Sequence, residues 1–247
     1  GVYVLKNLNG WGPKISAVQN QKFLDFKGDS VTLKANPNNV KDFFENGMTY
    51  ITNFALSNAD ETGDYRFAYS NVTQRGILPN SKLGRHTFTI NAGKKINKYI
   101  ESRVSASLVA NNTFGRTRQG SNNESIIPSI VLGLPRTVDI NDVKNHVFDE
   151  LGNLVGLDGA ASNQVNNPYW ITQNNPVSDK GFRFYGTGEV IIRPTSWYTF
   201  TSRIGTDYIS ENRTAITRKG TLRMLPGAYS TTDIVRNQLN SDLINTF

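Results

Sequence analysis

The chain has 247 residues, of which 37% are apolar and only 19% charged, so its polarity comes largely from uncharged side chains, 29 Asn among them. Thirteen Phe, ten Tyr and three Trp exclude global disorder, while the absence of Cys and the presence of only two His exclude a disulfide scaffold and a multi-histidine zinc site. The formal charge of +7 raises nucleic acid as a partner, but the cations are scattered, with the densest groups at Lys94-Lys95, Arg116 with Arg118, and Arg218-Lys219, which describes a mildly basic solvated surface and no nucleic-acid site.

Residues 1–47 read as irregular, broken at Gly10–Pro13 and Asn36–Asn39, with one helical turn over Val40–Gly47. From Thr49 the period changes to two. Tyr50, Thr52, Phe54 and Leu56 share a face, and a polar turn follows at 59–64. Tyr65, Phe67 and Tyr69 alternate with Arg66, Ala68 and Ser70. After a connection at 74–84, His86, Phe88, Ile90 and Ala92 alternate with Arg85 and Thr87. Beyond a turn at 93–97, Ile100, Val104, Ala106 and Leu108 alternate with Glu101 and Arg103. Periodicity is then lost over 111–181, which is rich in Asn, Gly, Pro and Ser and holds candidate helices near Ile126–Leu132 and Ile140–Phe148. Strands resume with Phe182, Phe184, Val190 and Ile192 opposite Arg183 and Glu189. After a turn at 193–196 come Tyr198, Phe200, Ile204 and Tyr208 opposite Arg203 and Asp207. Residues 210–238 read as loop, and Leu239–Phe247 as the start of a seventh strand.

The connections alternate between short (59–64, 93–97, 193–196) and long (74–84, 111–181, 210–238). In an up-and-down meander this puts every short turn at one end, the plan of an outer-membrane β-barrel. No run of apolar residues is long enough for a transmembrane helix, but a transmembrane strand needs only about 9–11 residues, apolar at alternate positions. The expected fold class is therefore all-β: a segment of a large antiparallel up-and-down transmembrane barrel. Residues 1–48 form a first extracellular loop region, and 49–247 carry six to seven strands. Barrels of this kind have at least eight strands, so a longer polypeptide is expected. Phe54, Phe67, Phe88, Val104, Phe200 and Ile204 are expected to meet lipid. Arg66, Arg85, Arg103, Arg183 and Arg203 are expected to face the lumen or a plug. Tyr50, Tyr65, Tyr99, Trp197 and Tyr198 suit an interfacial aromatic girdle.

Several strings resemble the SusC/RagA family of TonB-dependent outer-membrane transporters of Bacteroidetes. They are Trp11–Lys14, Pro37–Gly47 (PNNVKDFFENG), Tyr65–Asn80 (YRFAYSNVTQRGILPN), Leu83–Phe88, Pro135–Ile140, Asn167–Trp170 (NPYW) and Asn240–Leu243. Gly84 departs from the polar or charged residue expected at its position. The resemblance runs in order from about residue 11 to the end. It implies a plugged 22-stranded barrel, energised through the TonB complex and covered by a SusD-like lipoprotein. Such a barrel imports oligosaccharides or peptides across the bacterial outer membrane. The plug domain is absent from this chain, so no plug residue is carried over.

No catalytic constellation stands out, and neither an enzyme nor a cofactor is expected. Asp139, Asp142 and His146 read as a solvated loop, and Asp149, Asn153 and Asp158 lack the spacing of a helix–loop–helix calcium site. Trp11, Asn167, Tyr169 and Trp170 are the candidates for substrate or lid contact: aromatic faces and a paired donor–acceptor amide that either bind cargo or pack the loops together. A secreted soluble β-rich carbohydrate-binding protein shares the Asn and aromatic bias and stands as the alternative.

Overall fold

The computed structural model describes residues 3–4, 14–18, 21–118, 124–132, 134–158 and 165–247. Seven strands form one antiparallel sheet: β4 (Met48–Asp60), β5 (Gly63–Arg75), β6 (Lys82–Lys95), β7 (Ile100–Arg116), β8 (Val177–Thr195), β9 (Tyr198–Thr217) and β10 (Ala228–Thr246). Spatial order equals chain order, from β4 at one edge to β10 at the other. A three-stranded sheet of β1 (Tyr3–Val4), β2 (Lys22–Leu24) and β3 (Ser30–Thr32) precedes it. Helices are short: α1 (Ile15–Val18), α2 (Asn39–Phe43), α3 (Ile140–Asn145) and α4 (Pro168–Asn174), with a π-helical stretch at Ile127–Leu132. No described helix is long and apolar enough to cross a membrane, which says nothing of strands.

The large sheet has an apolar and a polar face, and its register keeps each continuous. Phe54 lies opposite Tyr69, Tyr69 opposite Phe88, Phe88 opposite Leu108, Leu108 opposite Phe184, and Phe184 opposite Tyr208. Two residues along, Leu56, Phe67, Ile90, Ala106, Gly186, Thr206 and Leu239 form the next row. Because the side-chain period is two, this register fixes the facing of every neighbour. Val104, Phe200 and Ile204 fall on the apolar face. Arg66, Arg85, Arg103, Arg183 and Arg203 all fall on the other.

Nothing in the described chain covers the apolar face. Phe54 is 67% exposed, Ile204 55% and Leu239 71%. Burying one such side chain is worth roughly 1.5–3 kcal/mol. Half a dozen left in water therefore forgo free energy of the same order as a domain's net stability, about 5–15 kcal/mol. The hydrophobic core lies elsewhere, in the loops. Phe26, Phe43, Ile126, Ile130, Leu134, Val138, Ile140, Val143, Leu157, Tyr169, Trp170, Ile171 and Leu222 cluster together, all outside the seven strands.

Short connections at 61–62, 96–99 and 196–197 alternate with long ones at 76–81, 117–176 and 218–227. The long ones touch one another: the Asn80 amide donates to the Thr172 carbonyl at 3.2 Å and the Trp170 indole to Thr221 at 3.0 Å. Two strand boundaries correct the reading of the sequence. The loop expected over 111–181 is 117–176, and the one expected over 210–238 shrinks to 218–227, because β9 and β10 run on through 210–217 and 228–238. The extra ladder mixes polar and apolar side chains on both faces, as where Val235 lies opposite Ser210 and Ile234 opposite Glu211, so alternation could not reveal it. The candidate helix at 140–148 ends at Asn145, and a further short helix, α4, lies within the long loop.

Candidate functional site

The long-loop end is a small globule built by asparagines. Asn39, 2% exposed, donates through Nδ2 to the carbonyls of Pro135 at 2.8 Å and Val138 at 2.9 Å, while its Oδ1 accepts from Arg136 at 3.0 Å. Asn167, fully buried, caps α4 by accepting from the Tyr169 backbone N–H at 2.9 Å, and its Nδ2 donates to the Val143 carbonyl at 2.8 Å. Asn166 exchanges hydrogen bonds with the backbone of Leu222, and Asn175 accepts from the Arg218 N–H. An amide offers donors and an acceptor on one short side chain. It can therefore satisfy the stray backbone groups of a buried loop, which would otherwise cost about 1–3 kcal/mol each.

The candidate contact residues are thereby placed. Asn167, Tyr169 and Trp170 are all buried within the loop core. The Tyr169 ring meets Phe43 edge-on at 5.2 Å, and Trp170 meets Phe148 at 5.5 Å. Burial, and then the charges of Glu45 and Asp42, push the Tyr169 hydroxyl above the usual tyrosine range. Trp11 lies outside the described residues. The strings Pro37–Gly47, Pro135–Ile140 and Asn167–Trp170 meet here, joined by Asn39, Asn167 and the Phe43–Tyr169 contact.

Beside Trp170 the globule opens into a cleft of about 540 Å³, bounded by Phe26, Lys27, Phe148, Asn153 and Leu225. Its rim is apolar and open at Phe148 and Leu225, both exposed. Lys27 sits at the floor among Asp25, Asp29 and Asp142, within 3.2–3.5 Å of each. Burial alone would depress its ammonium. The hydrogen bond to Asp142 and the charge of Asp25 outweigh that and hold its pKa above the ordinary lysine value. On the rim, Asp149 accepts from the Asn153 side chain and from the backbone N–H groups of Asn153 and Leu151, which lowers its pKa and closes a tight turn. The sequence offered no signal for this cleft, because its walls come from three separate loops.

Of the five arginines on the polar face, three are paired within the sheet. Arg183 clamps Asp207 through two hydrogen bonds at 2.9 and 2.6 Å; Arg203 reaches Glu189 at 3.1 Å. Arg103 binds Glu101 at 2.6 Å, and Arg193 takes that carboxylate's other oxygen at 3.0 Å. Along one row, Asp64, Gly93, Arg103, Glu189, Arg203 and Asp242 lie side by side, an alternation of charge interrupted only by the glycine. Arg66 and Arg85 have no ion-pair partner among the described residues.

No family model and no curated protein matches the chain. Among solved structures, it is similar to a chain of the RagAB peptide importer in its closed-closed state. The identity is 17% and the TM-score 0.62, over 91% of this chain and 24% of that one. A second RagAB peptide transporter structure matches at 16% identity and TM-score 0.62, over 85% of this chain and 23% of that one. The chain thus spans about a quarter of the length of the solved chains it matches. What the likeness establishes is fold: an all-β antiparallel meander with the architecture of a barrel-wall segment in those structures.

Proposed function

We propose that the chain is part of the wall of a TonB-dependent outer-membrane nutrient importer of the SusC/RagA type. The observation that carries this is the uncovered apolar face, continuous across seven registered strands, beside a polar face and a core confined to one end. A bilayer is the solvent that makes such a sheet stable. β7 to β10, at 17 to 20 residues, exceed the span needed and rise beyond it at the long-loop end. In this reading that end is extracellular, the short turns are periplasmic, and further strands complete the barrel. The five arginines face the lumen or a plug, with Arg66 and Arg85 free to meet acidic groups there.

The loop globule is the surface that a SusD-like lipoprotein covers, and the Phe148–Leu225 rim is the patch it grips. Peptides are the cargo favoured over oligosaccharides, since both solved relatives are named for peptide transport. Phe148→Asp with Leu225→Asp should abolish capture of the lipoprotein by the full-length protein while leaving it in the outer membrane. Normal capture by that variant would move the lid contact elsewhere. A full-length protein that stays soluble without detergent would instead favour the secreted carbohydrate-binding alternative.

A further inference from the structure

At the long-loop end the apolar face runs into a basic hollow. Arg75 on β5 and Lys82 on β6 stand directly opposite each other in register, on the apolar side of the sheet. Like charges so placed repel, and neither has an ion-pair partner among the described residues. Lys180 adds a third cation one row away, in the row of Gly84 and Asn112. Gly84 leaves the centre open: a Cβ built there would meet nothing within 4 Å. The hollow holds about 540 Å³ and is bounded by Arg75, Lys82, His86 and Phe114. His86 Nδ1 lies 2.8 Å from the Tyr69 hydroxyl and 3.1 Å from the Asn71 amide nitrogen. Both can donate to it, which keeps the ring N–H on Nε2, available to an anion.

One register step toward the short turns, the same strands form an apolar groove of about 440 Å³ between Phe54, Phe88 and Phe184. Its floor is low because Ala106 faces Gly186 across the β7–β8 ladder. Groove and hollow adjoin through the Tyr69–His86 contact. Together they match an amphiphile: a hydrocarbon chain in the groove and an anion at its outer end.

We propose that this stretch of the wall seats a lipid carrying a phosphate monoester, its acyl chain over Ala106 and its phosphate on Arg75, Lys82 and His86. The proposal rests on the reading that this face meets the bilayer. A phosphate monoester carries about −1.5 to −2 at neutral pH, which matches the opposed pair of cations. A zwitterionic headgroup brings its own ammonium, which Arg75 and Lys82 repel. A free phosphate leaves the groove unused.

The test is native mass spectrometry of the full-length protein, released from detergent and titrated with three probes: dioleoyl phosphatidic acid, dioleoyl phosphatidylcholine and glycerol 3-phosphate. Phosphatidic acid should bind about thirtyfold more tightly than phosphatidylcholine, as expected for two cations at a membrane surface. Arg75→Gln with Lys82→Gln should erase the preference, and so should Gly84→Asp, which puts a carboxylate in the hollow. Arg66→Gln with Arg85→Gln, on the opposite face, should keep it. Heat-modifiable gel migration checks that each variant is folded. Equal binding of the two lipids by the parent protein, or a preference that survives R75Q/K82Q, would overturn the proposal. So would glycerol 3-phosphate binding as tightly as phosphatidic acid, which makes the hollow a free-phosphate site. A protein that does not stay with membranes at all overturns the barrel reading with it; one that stays without lipid preference overturns this inference alone.

Discussion

Asn39 shows how one side chain ties distant loops. Its amide closes three hydrogen bonds to the 135–138 segment in a site with no water access. Asn39→Ala leaves the buried Val138 carbonyl without a partner and takes one of two donors from the Pro135 carbonyl, which keeps the Val138 N–H, so a loss of roughly 1–3 kcal/mol is expected in the globule. Hydrogen exchange should rise over 134–147 and stay unchanged in β4–β9. Tyr169 makes a pH prediction. Its folded pKa is raised above the unfolded one, so its contribution is fully present below the ordinary value of 10.0 and lost as pH climbs through the folded value. Lys27, also raised, acts in the same direction above its ordinary 10.5. The globule should therefore loosen in alkali before the sheet does. Tyr169→Phe should flatten that pH dependence at small cost near neutrality, as read by proteolysis of the loops across pH.

Among the elements, the strands were legible because a half-buried strand writes its facing at every second residue. Phe54, Phe67, Phe88, Val104, Phe200 and Ile204 could be placed on one face before any coordinates. The same logic failed over 210–217 and 228–238, where polar and apolar residues are mixed on both faces of the ladder. The burial of Asn167, Tyr169 and Trp170 was not legible either, since a short helix closing a loop core and an aromatic platform for cargo use the same residue types. Facing has an energetic consequence. Ala106→Arg on the apolar face should cost about 2–4 kcal/mol near the bilayer midplane, whereas Ser105→Arg, one residue away, should cost far less; urea unfolding in vesicles separates them. Gly93 has a narrower role. A Cβ there would come within 2.9 Å of Asp64 Oδ1 and 3.5 Å of Arg103 Cζ, so Gly93→Val should push these opposite charges apart and weaken the β5–β7 turn end.

At the scale of the whole molecule, the division of labour follows from where the apolar residues lie. The sheet exposes its large side chains and the loops bury theirs. Removing 124–158 takes Ile130, Leu134, Val138, Ile140, Val143 and Leu157 from the globule and strips cover from Phe43 and Trp170. The strands keep their ladder, so the full-length deletion protein should still insert while losing lipoprotein capture and uptake. The central claim is that the apolar face is a lipid face. Spin labels at adjacent pairs test it most directly: Leu56 against Ser57, Ile90 against Asn91, and Ile204 against Gly205, in the full-length protein reconstituted in vesicles. The first member of each pair should be relaxed strongly by oxygen, which partitions into lipid, and weakly by a water-soluble nickel chelate, and the second should not share that pattern. Equal response to both agents within each pair, or chelate access at Leu56, Ile90 and Ile204, would contradict it.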